Sequence, residues 1–208
     1  MVEAECLAFE VLTLASSYLG TSELAAQSIL STISSITWQI PFPLSIAGST
    51  RIANLIGATL VGAAKTSAKT SFFGAVIVGL FNMTILSSLR AYIPILFSSD
   101  PEVIEIVAKV LPLCAAFQLF DALAANCNGI LRALGRQEIG GYIQLFCYYA
   151  IAMPVSMGTT FYFDWSVMGL WTGVALALML VSVIEAVFIT HIDWDRSVEE
   201  ALQRNELT

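Results

Sequence analysis

Residues 103–131 read VIEIVAKVLPLCAAFQLFDALAANCNGIL, a run that is nearly all apolar yet carries an aspartate, Asp121, in its second half. A helix of this length rises beyond the roughly 30 Å of a bilayer's hydrocarbon core. An ionised carboxylate held at such depth costs about 2.5–3.5 kcal/mol on insertion scales. At about 100° per residue, Cys114, Gln118, Asp121 and Asn128 share one stripe with Leu111 at its edge, while Phe120 and Leu131 point elsewhere. That stripe has to face protein or water, because lipid offers polar groups no partner. Two readings of Asp121 follow. It is either a structural carboxylate bonded to a neighbouring helix or a site that exchanges a proton or a cation.

Composition places the rest of the chain in the same setting. Hydrophobic residues are 57% and charged residues 12% of 208, and the mean hydropathy is +0.80, whereas an ordinary soluble domain is about 25% charged. This is the profile of an integral membrane protein. A net charge of -7 without a basic stripe argues against a nucleic-acid partner. The four cysteines, Cys6, Cys114, Cys127 and Cys147, have neither CxxC nor zinc-like spacing and read as small apolar residues. No metal or cofactor is implied. Nor does an enzyme read out of the chain, since HExxH and GxSxG are absent and His191 is the single histidine.

The pattern predicts an all-α, polytopic bundle of six transmembrane helices over residues 1–191, with spans near 4–20, 24–47, 71–97, 103–131, 139–163 and 167–191. The first span carries Glu3, Glu5 and Glu10, and Glu10 is the deepest of them. The second is rich in hydroxyl and amide side chains, among them Gln27, Ser31, Thr32, Ser34 and Gln39, and Pro41 with Pro43 predict a kink. Residues 48–70, with Arg51, Lys65 and Lys69, read as a short amphipathic return. Asp100-Pro101 is a helix start, with Asp100 as N-cap and proline at the first helical position. Pro154 interrupts the fifth span. Gly169-Leu170-Trp171-Thr172-Gly173 opens the sixth with a GxxxG spacing that lets two helix backbones approach closely. Residues 192–208 read as a charged cytoplasmic tail, either a soluble helix or disorder.

An even number of spans puts both ends on one side. Arg51, Lys65, Lys69, Arg132, Arg136, Arg196 and Arg204 fall on that side, against Arg90 and Lys109 on the other. The positive-inside rule makes the richer side cytoplasmic and predicts both termini there.

Five blocks, in order, resemble one family. They are Glu5-Cys6-Leu7-Ala8-Phe9-Glu10; Glu23-Leu24-Ala25-Ala26-Gln27-Ser28; Arg51-Ile52-Ala53-Asn54 with Gly57; Leu119-Phe120-Asp121-Ala122-Leu123 followed by Gly129-Ile130-Leu131-Arg132 and Gly135-Arg136-Gln137; and Val167-Met168-Gly169-Leu170-Trp171. Together they are similar to the eukaryotic, fungal-like branch of the multidrug and toxic compound extrusion (MATE) family. The resemblance covers essentially the whole chain but only the second half of the family's twelve-span architecture, the C-terminal six-helix lobe. It implies proton-coupled efflux of organic cations, drugs or metabolites, in a vacuolar or plasma membrane. It also implies that Glu5, Glu10 and Asp121 take protons and organic cations in alternation. The family often has glutamate at the place of Asp121, and some animal relatives carry one at the place of Thr32.

Physical chemistry gives that implication a mechanism. Desolvation disfavours a carboxylate's charged form, while a cation restores it, so proton and cation compete for one site. If only the two loaded forms reorient, competition becomes antiport. Gln27, Ser31, Gln39, Gln118 and Asn128 are the expected cavity donors and acceptors, and Phe9, Trp38, Phe117 and Tyr149 the aromatic faces. The expected partners are the bilayer, protons, the cation and an N-terminal bundle or a second copy of the chain. The alternative is a truncated, non-transporting membrane protein or assembly partner that keeps the lobe's fold.

Overall fold

The computed structural model describes residues 2–206, and the side chains of residues 7–200 and of Gln203. Six helical rods make the bundle: α1 (Val2–Ser17), α2 (Thr21–Trp38) continued after a break by α3 (Pro41–Gly57), α4 (Val61–Ser88), α6 (Pro101–Ala133), α7 (Gln137–Tyr162) and α8 (Ser166–His191). A five-residue helix, α5 (Ile93–Phe97), lies between α4 and α6, and α9 (Trp194–Glu206) follows α8. Among the described residues every element is helical. Four rods, α4, α6, α7 and α8, are each long and apolar enough to cross a membrane.

The rod carrying Asp121 is the centre of the bundle. α6 packs against α2, α3, α4, α5, α7 and α8. Its contrast between a polar stripe and apolar remaining faces therefore does not separate inside from outside, because Leu131 is buried as fully as Cys114. A helix that is apolar all round belongs in a core. Small residues allow the crowding: a side chain at Gly79 of α4 would meet the Leu119 backbone at 2.8 Å, and one at Gly129 would meet the Ser45 carbonyl oxygen at 2.9 Å.

Local chemistry explains where the rods start, bend and stop. Asp100 Oδ1 accepts from the Glu102 amide at 3.0 Å, with Pro101 at the first helical position. Gly135, at φ 71°, ends α6, and the Arg136 amide bonds back to the Leu131 carbonyl at 2.8 Å. Pro41 withholds the amide that would have capped the Thr37 carbonyl, and Asn82 of α4 donates to it at 3.2 Å. On either side of Pro154, α7 is wound as wider π-helical turns, Phe146–Ala152 and Gly158–Tyr162. The GxxxG pair performs as its spacing predicts. α8 lies on α7 so closely that Ser156 Oγ donates to the Leu170 carbonyl at 2.8 Å, and Thr159 Oγ1 to the Gly169 carbonyl at 2.8 Å.

Two segments differ from the sequence reading. Residues 48–70 are not a separate amphipathic return; they are the end of α3 and the start of α4, joined by a turn at Ala58-Thr59-Leu60. In the tail, of the two readings, helix or disorder, residues 194–206 take the helix, and it packs on the bundle instead of standing free in solvent. Helix α9 places Trp194 and Val198 in a cluster with Ile52, Ile56, Ala64, Ala68, Ile130 and Leu134. Arg136 Nη2 pairs with Glu200 at 3.1 Å, and Lys65 Nζ with Asp195 at 3.8 Å. Val198→Asp should release α9 by burying a charge where an apolar side chain packs, at a cost of about 2–4 kcal/mol. Trypsin digestion of the purified protein checks it, the expected result being rapid cleavage after Arg196 in the variant alone.

Large apolar side chains line the outside. Phe73, Ile77, Phe81 and Ile85 run down α4, and Val183, Ile184 and Val187 down α8, all exposed. A continuous apolar coat of this extent belongs against lipid.

Candidate proton and cation site

Asp121 is enclosed by its own bundle, at 5% exposure, and engages neighbours there. One turn before it, Gln118 is buried at 1%. Its Oε1 accepts from Asn82 Nδ2 at 3.4 Å, and Asn82 also reaches the Thr37 carbonyl. A polar junction thus ties the break in α2–α3 to α4 and to the turn of α6 that presents Asp121. Gln118 Nε2 finds no hydrogen-bond partner among the described residues. Towards the basic end, Ser45 Oγ donates to the Ala125 carbonyl at 2.5 Å and accepts from Arg132 Nη2 at 3.4 Å, and Ser71 Oγ donates to Asn126. Asn128 is buried, with its Oδ1 unpartnered among the described residues.

The other expected site residues lie elsewhere. Gln27 is fully buried, with its Oε1 taking the Trp171 indole N–H at 2.8 Å and its Nε2 donating to the half-buried Ser31 at 3.4 Å. Phe9 and Phe117 both pack on Trp171, with ring centroids at 5.6 and 5.7 Å. Glu10 is exposed on α1, whose neighbours are α2, α7 and α8. Gln39 is exposed at the break between α2 and α3. The side chain of Glu5 lies outside the described residues.

Exposure itself marks a second polar surface. Ser28, Thr32, Ser35 and Gln39 are all exposed, and their spacing of four, three and four residues puts them on one stripe of α2. On α1, which packs against α2, Glu10 and Ser17 are exposed on a stripe they share with the exposed Leu7 and Leu14. The hydroxyls of Ser28, Thr32 and Ser35 are satisfied by carbonyls of their own helix at 2.8–2.9 Å. Glu10 and Gln39 have no such local outlet, so this strip has to face water or protein.

Glu185 is the acid the sequence reading passed over. It sits in α8 at 0% exposure, with neither carboxyl oxygen hydrogen-bonded among the described residues. The signal that singled out Asp121, one acid inside an apolar span, was present here too. A groove of about 500 Å³ opens at the basic end between α4, α6, α8 and α9, lined by Lys65, Lys69, Phe72, Phe73, Ile130 and Ile189 among others. Neither Glu10, Asp121 nor Glu185 is among its lining residues.

A family model described as MatE matches residues 2–157. The chain belongs to the MATE family. A Saccharomyces cerevisiae protein described as an uncharacterized transporter is 41% identical over 196 residues, covering 94% of this chain and 28% of its own length. Human multidrug and toxin extrusion protein 1 is 31% identical over 201 residues, covering 97% of this chain and 35% of its own. The crystal structure of a eukaryotic MATE transporter superposes with a TM-score of 0.91 at 31% identity, over 95% of this chain and 44% of that one. The outward-facing structure of a multidrug-resistance MATE transporter shares the fold, with a TM-score of 0.82 at 19% identity. This MATE chain is thus an all-helical integral membrane protein of a transporter family, and it spans about a third of the length of these curated relatives.

Proposed function

We propose that this chain is the C-terminal lobe of a proton-coupled antiporter that exports organic cations, drugs or metabolites across a vacuolar or plasma membrane. The observation that carries the reading is an acid, Glu10, and a hydroxyl and amide stripe of α2 exposed on the outside of a lobe that encloses a second acid, Asp121. In a membrane such a strip belongs to a water-filled cavity, and the transport architecture of two rocking bundles supplies one between its lobes. An N-terminal bundle is the partner that would close it. Glu10 stands on the cavity wall, where it meets an entering cation. Asp121 stands within the lobe and exchanges a proton for that charge, with Gln118 held one turn away by Asn82. The names of the relatives support efflux as the activity, and the excess of Lys and Arg places the basic end and both termini in the cytoplasm.

Vesicles with an acidic lumen test the reading. Co-reconstituted with the N-terminal lobe of a relative, the chain should drive uptake of a fluorescent organic cation that collapses when the proton gradient is discharged. Alone, it should drive none. Uptake by the pair that ignores the proton gradient contradicts proton coupling, and uptake by a monomeric chain alone contradicts the two-lobe cavity.

A further inference from the structure

Glu185 lies in the run Ser182-Val183-Ile184-Glu185-Ala186-Val187 of α8. Val183, Ile184 and Val187 are exposed on the outer face, while Glu185 is turned into the bundle at 0% exposure. No hydrogen bond reaches either of its oxygens, and no cation pairs with it, among the described residues. Two thiols, Cys127 from α6 and Cys147 from α7, are close enough to feel its charge. Thiols are weak donors and bring no positive charge. A carboxylate ion in that setting is uncompensated, which proteins do not tolerate without a strong reason.

Asn128 Oδ1 on α6 and Gln144 Oε1 on α7 are also buried acceptors without a donor among the described residues. At 1.5 Å per residue from the basic-side end of each rod, Asn128, Glu185 and Gln144 lie about 8, 9 and 11 Å deep. Asp121 lies about 18 Å deep on the same count. Counted along their own rods, all three fall between Asp121 and the basic end, and so does Asn126, whose Nδ2 is a buried donor without a partner among the described residues. A proton on Glu185 removes its uncompensated charge and turns one of its acceptor oxygens into a donor.

We propose that Glu185 is a second proton-carrying group of the lobe, which gains and loses its proton through the basic, cytoplasmic side. The direction of flow rests on the antiport reading above; the existence of the site does not. In that flow a proton leaves the Asp121 carboxyl for water, protonates a Glu185 carboxylate oxygen, and passes from there to cytoplasmic water. No other bond is made or broken.

Infrared difference spectroscopy of the purified chain, recorded between acidic and alkaline pH, reads this directly. Wild type should lose a carboxylic C=O band as pH rises. Glu185→Gln should lack that band, Glu185→Asp should shift it, and Asp121→Asn should keep it. Glutamate labelled with ¹³C in the wild-type chain should shift the same band, so the reading survives a variant that folds poorly. A Glu185→Gln spectrum identical to wild type, or a glutamate band unmoved by pH, overturns the proposal. So does loss of the band on adding sodium at constant acidic pH, which would make the group a cation ligand. Failure of the antiport reading alone would remove Asp121's contribution and leave this band in place.

Discussion

Asp121→Asn is expected to reduce proton-driven cation export by the paired lobes to the level of protein-free vesicles, while the protein still inserts and folds. Asparagine keeps the volume and one carbonyl oxygen, so the packing around 5% exposure is little disturbed. It cannot ionise, so it neither attracts a cation nor trades a proton for one. Stability should change by about 1 kcal/mol or less, as for an isosteric exchange that buries no new charge. Asp121→Glu should retain part of the activity, because the charge survives and only its reach grows. Glu10→Gln should weaken cation capture without abolishing it. The measurement is the initial rate of cation uptake under an imposed pH gradient, and wild-type rates in the asparagine variant would make Asp121 a structural carboxylate.

Gly173→Leu is expected to separate α7 from α8. A side chain at Gly173 would stand 2.5 Å from the Ala152 carbonyl oxygen and 2.9 Å from the Ser156 amide nitrogen. These are backbone atoms, which cannot rotate away as a flexible side chain can. Overpacking of this kind costs about 1–3 kcal/mol before anything is lost. Separation also strands the Ser156–Leu170 and Thr159–Gly169 hydrogen bonds, worth about 1 kcal/mol each. The expected loss is therefore about 3–5 kcal/mol. Unfolding in mixed micelles measures it, with Gly62→Ala as the control, since a side chain there meets nothing within 4 Å.

The apolar rods, the Asp100 cap, the break at Pro41 and the Gly169–Gly173 contact were legible because each rests on local chemistry. Residues 48–70 were not. Gly48-Ser49-Thr50 reads as a turn in water, but inside a membrane bundle small residues mark close packing. A side chain at Gly48 would meet Ser71 Oγ at 2.6 Å. The true turn is carried by Thr59 at φ 62°, a residue with no strong turn signature. Helical periodicity placed Asp121 on a polar stripe but could not say that α6 is buried all round, because that depends on how many rods surround it. The exposed strip on α2 was visible as composition, and only its tertiary exposure separated Ser28, Thr32, Ser35 and Gln39 from Gln27, which faces Trp171. In the tail, Trp194 and Val198 are one turn apart among charges, the ordinary signature of a docking amphipathic helix.

If cation and proton compete for Asp121, binding of a cation has to release a proton, and the released protons can be counted. Tetraphenylphosphonium would be bound to the reconstituted lobe pair in weak buffer while proton release is recorded. About one proton should be released per cation bound at acidic pH, as for exchange at a single carboxyl, and none from Asp121→Asn. Cation binding by the wild-type pair with no proton released would contradict competition at Asp121.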